Sequence, residues 1–162
     1  MWALASISGV SSGGNTIVEN RVAANGGNGI QTLVRDSGGL IADNAVVNNG
    51  GSGIEFWDSV SHLVGNNVSG NAGYGIEVRE RICEFHRSYV VAGNTANRNG
   101  LLGIKTRRFD CLVPIGDGSG NLAKHNGDPL ECDGLGLTCD RNLGQARKRA
   151  DVSLSQLPTH PA

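Results

Sequence analysis

Short apolar runs alternate with polar, glycine-rich stretches along most of the chain, and the alternation keeps a fixed spacing. In each copy, one residue, usually apolar, stands three places before an asparagine, and a small apolar residue stands two places after it. The first position holds Ile17, Ile41, Leu63 and Val91, with Gly118 in the last copy, and the second holds Val22, Val46, Val68, Ala96 and Ala123. These runs are short, rich in β-branched residues and bounded by Gly and Asn, so the pattern predicts strands rather than amphipathic helices.

The polar positions repeat as regularly as the apolar ones. Two asparagines precede a Gly-Ile pair, and the unit reads N-x-[V/A]-x-x-N-[G/A]-x-x-G-[I/L]. The full copies are Asn20/Asn25/Gly29-Ile30, Asn44/Asn49/Gly53-Ile54, Asn66/Asn71/Gly75-Ile76 and Asn94/Asn99/Gly103-Ile104. In a fifth copy, Asn121/Asn126, we expect an insertion to move the pair to Gly136-Leu137. Successive copies begin 24, 22, 28 and 27 residues apart, and a period of this length indicates a stacked-coil protein.

The architecture that fits this unit is a parallel β-helix, in which each coil pairs with the coils above and below. A leucine-rich repeat has a similar period but requires an L-x-x-L-x-L pattern, which this chain lacks. Coils in a β-stack lie roughly 4.8 Å apart, so identical asparagines form columns whose amides can hydrogen-bond to one another. Asn and Gly also tolerate the left-handed backbone of tight corners. We therefore expect the repeated Asn and Gly residues to be structural rather than catalytic.

The repeat resembles that of the right-handed parallel β-helix family, the superfamily that includes pectate lyases and NosD-like periplasmic proteins. The resemblance covers roughly residues 15–140, and residues 121–139 look like the closing coil of secreted bacterial members. It implies an all-β fold, a single-stranded right-handed parallel β-helix of about five coils that correspond to the C-terminal coils of the family. It implies less about activity, because the family includes lyases, hydrolases, epimerases, tailspikes and proteins without known activity.

The repeat divides the chain into coils over residues 1–140 and a C-terminal cap and flexible tail over residues 141–162. Residues 143–150 can form one or two helical turns over the last coil, and Pro158 and Pro161 mark the tail. At the other end, residues 1–10 resemble part of a coil with no capping helix before it. We expect the chain to be the C-terminal part of a longer solenoid or to self-associate through this uncapped end, because an open stack exposes unpaired backbone.

Composition and charge argue against several functional classes. The 162 residues carry a formal net charge of −1 and 18% charged residues, which argues against a nucleic-acid partner. No segment of the sequence is long and apolar enough to cross a membrane, and the first residues lack the charged region and apolar core of a signal peptide. The sequence has no phosphate-binding loop, and His62, His86, His125 and His160 are scattered, so we expect no cofactor and no metal ion.

The four cysteines favour an oxidising compartment. Cys83 and Cys111 each lie seven residues after the Ile of a Gly-Ile pair, so stacking should bring their backbones to about 5 Å from each other. Cys132 and Cys139 bracket the short loop before the predicted final strand. We therefore expect the disulfides Cys83–Cys111 and Cys132–Cys139, and with them a secreted or periplasmic location.

The strand that begins at each Gly-Ile pair carries the candidate chemistry. Because strand side chains alternate, an inward Ile predicts that the next residue points outward. The first outward column is then Gln31, Glu55, Glu77, Lys105 and Thr138, and the second is Leu33, Trp57, Arg79, Arg107 and Asp140. Insertions after two of these strands, residues 81–88 and 108–119, would form a wall beside this face.

Two stacked carboxylates about 5 Å apart beside an aromatic side chain are typical of a sugar-cleaving site. The candidate catalytic residues are Glu55, Glu77 and Lys105, and the candidate substrate-binding residues are Trp57, Arg79 and Arg107. Arg and Lys side chains on this face could pair with the carboxylates of an acidic polysaccharide. Such a column is equally typical of a solubilising charge ladder on an exposed strand, in which a neighbouring cation relieves the repulsion between stacked carboxylates.

Two functions of different classes fit these observations. The first is a secreted or periplasmic β-helix protein that binds polysaccharide along its outer strand face, either as a binding protein or as a lyase- or hydrolase-like enzyme. The alternative is a non-enzymatic structural module, such as an adhesin- or tailspike-like surface protein. A concave face with converging charges favours the first function, and a flat charge ladder favours the second. An ice-binding array is disfavoured, because Thr32, Thr106 and Thr138 are too few to form one.

Overall fold

A computed structural model of the chain describes residues 15–32, 39–57, 60–80, 90–108, 119–133, 137 and 139. These residues form fourteen short strands and no helix. The strands are β1 (Thr16–Val18), β2 (Arg21–Ala23), β3 (Ile30–Thr32), β4 (Gly39–Ala42), β5 (Ala45–Val47), β6 (Ile54–Trp57), β7 (Val60–Val64), β8 (Asn67–Ser69), β9 (Ile76–Glu80), β10 (Val90–Ala92), β11 (Thr95–Asn97), β12 (Ile104–Arg108), β13 (Leu122–Lys124) and β14 (Cys132–Asp133).

Successive strands pass from one sheet to the next, and the described strand pairs are all parallel. The first sheet has the order β1-β4-β7-β10, the second β13-β11-β8-β5-β2 and the third β14-β12-β9-β6-β3. Each turn of the chain therefore adds one strand to each sheet. The described residues make four complete coils, and β13 and β14 belong to a fifth. This architecture confirms the predicted all-β stack of parallel coils.

The apolar columns of the sequence line the inside of the coils. In the first sheet, Ile41 pairs in register with Ile17 on one side and with Leu63 on the other, and all three are buried. The other buried columns are Val22, Val46, Val68, Ala96 and Ala123 in the second sheet and Ile30, Ile54, Ile76 and Ile104 in the third. Three-residue strands have little stability alone, whereas each buried side chain of this size contributes about 1.5–3 kcal/mol. Stacking of the columns therefore holds the strands in place.

The repeated asparagines form two hydrogen-bonded ladders at the corners of the coils. At each step, the backbone N–H and the side-chain Nδ2 of one asparagine donate to Oδ1 of the asparagine in the next coil. From Asn44 to Asn66 both distances are 3.0 Å. One ladder contains Asn20, Asn44, Asn66, Asn94 and Asn121, and the other contains Asn25, Asn49, Asn71, Asn99 and Asn126. The predicted asparagine columns are confirmed, and they satisfy corner amides that have no partner in a neighbouring strand.

A carboxylate ends the second ladder. Oε2 of Glu131 accepts hydrogen bonds from the backbone N–H of Asn126 at 3.2 Å and from its Nδ2 at 2.6 Å, while Oε1 accepts from the backbone N–H of His125 at 3.0 Å. Every asparagine in the ladder directs its backbone N–H and one N–H of Nδ2 toward the acceptor that follows it. The last one therefore needs another acceptor, and the carboxylate of Glu131 provides it.

The left-handed corner residue is the one immediately before each repeated asparagine. Positive φ occurs at Glu19, Ala24, Asp43, Asn48, Gly65, Gly70, Gly93, Arg98, Gly120 and His125, each of which precedes a ladder asparagine, and also at Glu131, which precedes Cys132. The repeated asparagines themselves do not adopt this conformation. Left-handed backbone costs roughly 1–2 kcal/mol at a residue with a side chain. The hydrogen bonds of the asparagine that follows offset this cost.

The last coil departs from the predicted register. Cys132 pairs with Ile104, and Asp133 pairs with Lys105, so Cys132 takes the position that the sequence pattern gave to Leu137. The coil is longer by a single residue at this point, since Cys132 follows Asn126 by six positions where Ile104 follows Asn99 by five. Asp133 therefore takes the place beside Lys105 that the pattern gave to Thr138, so that prediction is wrong, whereas Asp140 lies outside the described residues.

A disulfide joins Cys132 to Cys139, with their Cα atoms 6.1 Å apart. Both residues are half-buried and pack against the apolar core, together with Leu137. The bond attaches the chain that follows β14 to the last described strand. The other predicted pair, Cys83–Cys111, and the predicted cap and tail over residues 141–162 lie outside the described residues.

We predict that Asn66→Ala destabilises the fold and that Asn67→Ala does not. Asn66 is fully buried and its Nδ2 donates to Oδ1 of Asn94, whereas the neighbouring Asn67 is exposed on the second sheet. Removal of the Asn66 amide leaves buried ladder groups without partners, which costs about 1–3 kcal/mol. Thermal melting should show a drop of several degrees for Asn66→Ala alone. Equal melting temperatures for the two variants would mean that the ladder contributes nothing to stability.

Peptide mapping without reduction should recover Cys132 and Cys139 in one linked peptide. We also predict a Cys83–Cys111 linkage, because these residues occupy equal offsets in neighbouring coils. Alkylation of the folded chain should label none of the four. A cross-linkage between the two pairs, or four labelled thiols, would overturn the pairing.

Candidate functional site

The register of the third sheet assembles most of the predicted outward columns. Gln31 pairs with Glu55, Glu55 with Glu77, and Glu77 with Lys105, as the sequence predicts. In the second column, Trp57 pairs with Arg79, and Arg79 pairs with Arg107 at the level of the backbone. Leu33 lies outside the described residues. The strands β3, β6, β9, β12 and β14 thus present the candidate residues on one face.

The two glutamates of this face are buried. Glu55 is 6% exposed and Glu77 is 1% exposed. A solubilising ladder would keep its carboxylates in water, so these two side chains do not belong to one. A buried carboxylate is strongly unfavourable unless it is paired and hydrogen-bonded. The hydrogen-bond and ion-pair partners of the two glutamates therefore determine which role this cluster can have.

Arg79 is the shared cation of the two carboxylates. Its Nε lies 2.9 Å from Oε1 of Glu77 and 3.2 Å from Oε1 of Glu55. The N–H direction at Nε does not meet the angular requirement of a hydrogen bond with either oxygen, so these contacts are ionic. Nη2 donates a hydrogen bond to Oε2 of Glu77 at 3.0 Å. The guanidinium thus contacts Glu77 through Nε and Nη2 and contacts Glu55 through Nε.

Glu55 accepts hydrogen bonds from three other side chains. Its Oε2 accepts hydrogen bonds from Nδ2 of Asn28 at 2.5 Å and from Nε2 of Gln31 at 2.7 Å. Its Oε1 accepts a hydrogen bond from the indole Nε1 of Trp57 at 3.0 Å. Two amide groups, an indole and a guanidinium therefore surround one carboxylate. These contacts involve both oxygens of Glu55 and fix the position of its carboxylate.

Trp57 and Arg79 form a stacked pair. The guanidinium carbon lies 4.7 Å from the centroid of the indole ring, within the range of a cation–π contact. One face of the ring is therefore covered by Arg79, which departs from the expectation of an open platform for a sugar ring. Both side chains keep part of their surface in solvent, and the side chain of Arg79 is 30% exposed.

Lys105 lies in the first outward column but forms an ion pair with Asp133 and not with the glutamates. Its Nζ contacts Oδ2 of Asp133, the residue beside it in the register. Asp133 is half-exposed, so water screens this ion pair. The sequence pattern missed Asp133 because it placed the last strand at Leu137. It also missed Asn28, because that residue stands in the corner before the strand and not in either column.

The ionic contacts limit the chemistry that the cluster can perform. The hydrogen bond to Glu77 and the charges of Glu77 and Glu55 raise the pKa of the Arg79 guanidinium, and burial lowers it by less. A base for β-elimination must lose its proton, and a raised pKa opposes that step. Arg79 therefore suits the role of a permanent cation that organises its neighbours.

The two carboxylates are close enough for a glycosidase pair but are separated by a cation. Both Oε1 atoms lie within 3.2 Å of one nitrogen, so they are at most about 6 Å apart, near the spacing of about 5–5.5 Å in retaining enzymes. In such an enzyme the sugar lies between the two carboxyl groups, whereas here Arg79 contacts both. The assignment of Glu55, Glu77 and Lys105 as catalytic residues remains a prediction.

Within the described ranges, no three His, Cys, Asp or Glu side chains converge as metal ligands would. The same part of the chain contains no helix with the length and apolar character needed for a membrane crossing.

The chain matches the profile of a known protein family. A family profile described as the right handed beta helix region matches residues 5–95, which is more than half of the 162 residues. The chain therefore belongs to the right-handed β-helix family, and the parallel coils continue beyond the match to Asp133. Comparisons with curated proteins and with solved structures returned no match.

We predict that Glu77→Gln destabilises the protein more than Asp133→Asn. Glu77 is buried and holds Arg79 through two nitrogens, so loss of its charge weakens a shielded contact that should contribute about 1–3 kcal/mol. Asp133 is half-exposed, and a solvent-exposed pair contributes about 0–1 kcal/mol. Urea unfolding of the two variants measures the difference. A Glu77→Gln variant as stable as the parent would show that the cluster is not a stabilising element.

Proposed function

We propose that this β-helix binds polysaccharide along the outer face of its third sheet and does so without cleaving it. The observation that carries the proposal is the Trp57–Arg79 stack, which is held by two buried carboxylates on a rigid sheet. Sugar recognition requires an apolar surface beside well-placed hydrogen-bonding groups, and an indole next to a guanidinium supplies both. Gln31 and Lys105 are half-buried on either side and extend the polar face along the stack.

Rigidity of the sheet favours binding. Each candidate side chain stands on a strand paired on both sides, and Glu55 fixes the indole through Nε1. Side chains that are already ordered lose little rotamer entropy when a ligand arrives. A polymer that runs along the stack would meet a new coil about every 4.8 Å. Arg107, the next residue of the second column, keeps its predicted role as a binding residue.

Cleavage is the second candidate, and the proximity of the two carboxylates favours it. Against it, Arg79 contacts both carboxylates and Glu55 already accepts hydrogen bonds from three side chains. A catalytic carboxylate must reach its substrate, and both oxygens of each carboxylate are already in contact with protein groups. Binding without cleavage is therefore the better supported function. The structural module is the account that remains if no glycan binds.

A location outside the cytoplasm is part of the proposal. The Cys132–Cys139 bond supports it, since disulfides persist mainly in oxidising compartments. Polysaccharides of cell surfaces and of the extracellular medium are found in the same compartments. The partner that we propose is thus available where the protein would be.

The proposed function predicts a fluorescence response that depends on Trp57. A panel of neutral and acidic oligosaccharides should include a ligand that changes tryptophan emission, and Trp57→Ala should abolish the change. Trp2 is the second of the two tryptophans, so the variant keeps one fluorophore. Calorimetry on the same variant tests binding without relying on the fluorophore. A full panel without binding would favour the structural module.

The same panel tests cleavage. New reducing or unsaturated ends should not accumulate under the proposal. If they do, Glu77→Gln and Lys105→Ala should be assayed, because loss of one proton-transfer group lowers the rate by about 10²–10⁴-fold. If products form with the parent and disappear in these variants, the protein is an enzyme and not only a binding module.

A further inference from the structure

Glycine follows most of the asparagines of the second ladder. The dipeptides are Asn25-Gly26, Asn49-Gly50, Asn99-Gly100 and Asn126-Gly127, and Asn71 alone is followed by alanine. Contact between coils explains the glycines, since a Cβ at Gly50 would lie 2.5 Å from the carbonyl oxygen of Gly26. The corresponding distances would be shorter still at Gly100 and Gly127, which face the carbonyl oxygens of Ala72 and Gly100. The stacking of the coils therefore excludes a side chain at these positions.

An asparagine followed by glycine is chemically labile. The backbone nitrogen of the glycine attacks Cγ of the asparagine, and a cyclic imide forms as the bond from Cγ to Nδ2 breaks. The proton of the backbone N–H leaves with Nδ2 as ammonia, and water then opens the ring to aspartate or isoaspartate. Glycine favours this reaction because no side chain restricts its backbone, whereas alanine hinders the attack. Asn71, which precedes Ala72, is therefore a comparison site within the same ladder.

The ladder holds both reacting groups of Asn49-Gly50 away from each other. The backbone N–H of Gly50 donates to the carbonyl oxygen of Asn25 at 2.8 Å. Oδ1 of Asn49 accepts a hydrogen bond from the backbone N–H of Asn25 at 3.0 Å, and its Nδ2 donates to Oδ1 of Asn71 at 2.9 Å. Asn49 is also only 2% exposed, which limits access of the water that opens the ring. Cyclisation therefore requires that neighbouring coils first separate.

Two further dipeptides repeat this arrangement. The backbone N–H groups of Gly100 and Gly127 donate to the carbonyl oxygens of Asn71 and Asn99, each at 2.8 Å. Nδ2 of Asn99 donates to Oδ1 of Asn126 at 3.0 Å. Nδ2 of Asn126 donates in turn to the carboxylate of Glu131 at 2.6 Å. Both carboxamides are thus held by the same contacts that build the ladder.

From these contacts we infer that Asn49, Asn99 and Asn126 are latent deamidation sites, which are unreactive while the coils are stacked and react once the coils separate. The inference does not depend on the proposed function. The close approach of the coils requires glycine after these asparagines, and glycine makes the asparagines labile. The hydrogen bonds of the ladder suppress the reaction that the steric requirement would otherwise permit.

Deamidation at these sites damages the ladder irreversibly. An aspartate in place of Asn49 would set a carboxylate oxygen against Oδ1 of Asn71, so that one acceptor faces another. Both positions are buried, and a buried carboxylate without a donor is strongly unfavourable. Isoaspartate would in addition lengthen the backbone at a corner whose register is fixed by the neighbouring coils. A coil that reacts while it is open therefore cannot re-form the ladder.

Peptide mapping by mass spectrometry tests the inference on the full-length chain. The folded chain and the chain unfolded in guanidinium chloride are incubated in mildly alkaline water enriched in oxygen-18, which labels the residues that react during the incubation. In the unfolded chain, Asn49, Asn99 and Asn126 should react well before Asn71. In the folded chain they should react more slowly by about tenfold or more, because only opened molecules react. Equal rates at Asn49 and Asn99 in the two samples would overturn the inference.

A series of guanidinium concentrations tests the link between reaction and opening. The rate at Asn49 should rise together with the fraction of unfolded chain, which circular dichroism measures in the same samples. A rate at Asn49 that is independent of that fraction would contradict protection by the ladder.

Two variants measure the damage. Asn49→Asp introduces the reaction product into the ladder, and Asn48→Asp places the same charge on the exposed residue beside it. Position 48 accepts aspartate, since Asp43 occupies the equivalent corner of the first ladder with a φ of 54° against 56°. Asn49→Asp should melt several degrees below Asn48→Asp. Equal melting temperatures would show that deamidation leaves the ladder intact. If Asn49→Asp does not fold, the mapping of the unaltered chain still decides whether the sites are protected.

Discussion

The hydrogen-bonded asparagine ladders are the constraint on which the rest of the structure depends. A coil of short strands must turn repeatedly within fewer than thirty residues, and at each corner the backbone leaves the pairing direction of the sheets. Without a partner, the corner amides would be buried and unsatisfied. The ladders supply that partner from the same position of the next coil, so each coil is fixed in register with its neighbours. The register then decides which side chains meet on every face.

The cluster on the third sheet follows from that register. Stacking places Glu55 directly beside Glu77, an arrangement that would be repulsive in isolation. Arg79 stands two residues further along the strand of Glu77, on the same face, and forms ion pairs with both carboxylates, which reduces their repulsion. The carboxylates therefore hold the guanidinium, and the guanidinium in turn lies on Trp57. A polar cluster that is needed to relieve repulsion thus also presents an ordered aromatic and cationic surface to solvent.

The sequence predicts the elements that depend on the repeat and misses those that depend on three-dimensional packing. The Ile and Val columns and the asparagine ladders follow from period and alternation, since both report directly on which residues stack. Burial of Glu55 and Glu77 does not follow, because alternation shows that they point away from Ile54 and Ile76 but not whether they reach water. The left-handed corners were also missed, because residues as different as Glu19, Ala24 and Arg98 occupy them.

The last coil shows how a spacing that is repeated within the chain can give a wrong register. The pattern searched for a glycine before an apolar residue and found Gly136-Leu137, whereas a one-residue extension brings Cys132 into the column. Glu131, just before it, accepts the hydrogen bonds of the last asparagine in the second ladder. A cysteine and a glutamate replace residues of the repeat here because this coil ends the ladder. The sequence departs from the repeat at this point because Glu131 ends the ladder and does not continue it.

Amide hydrogen exchange at the ladder asparagines tests the central claim most directly. The backbone N–H groups of Asn44, Asn66 and Asn94 donate to side-chain oxygens and to no strand. The account predicts that these three amides exchange as slowly as that of Val68 in the neighbouring strand, because opening them requires separation of two coils. Exchange at rates close to those of an unfolded chain, while Val68 remains protected, would contradict it.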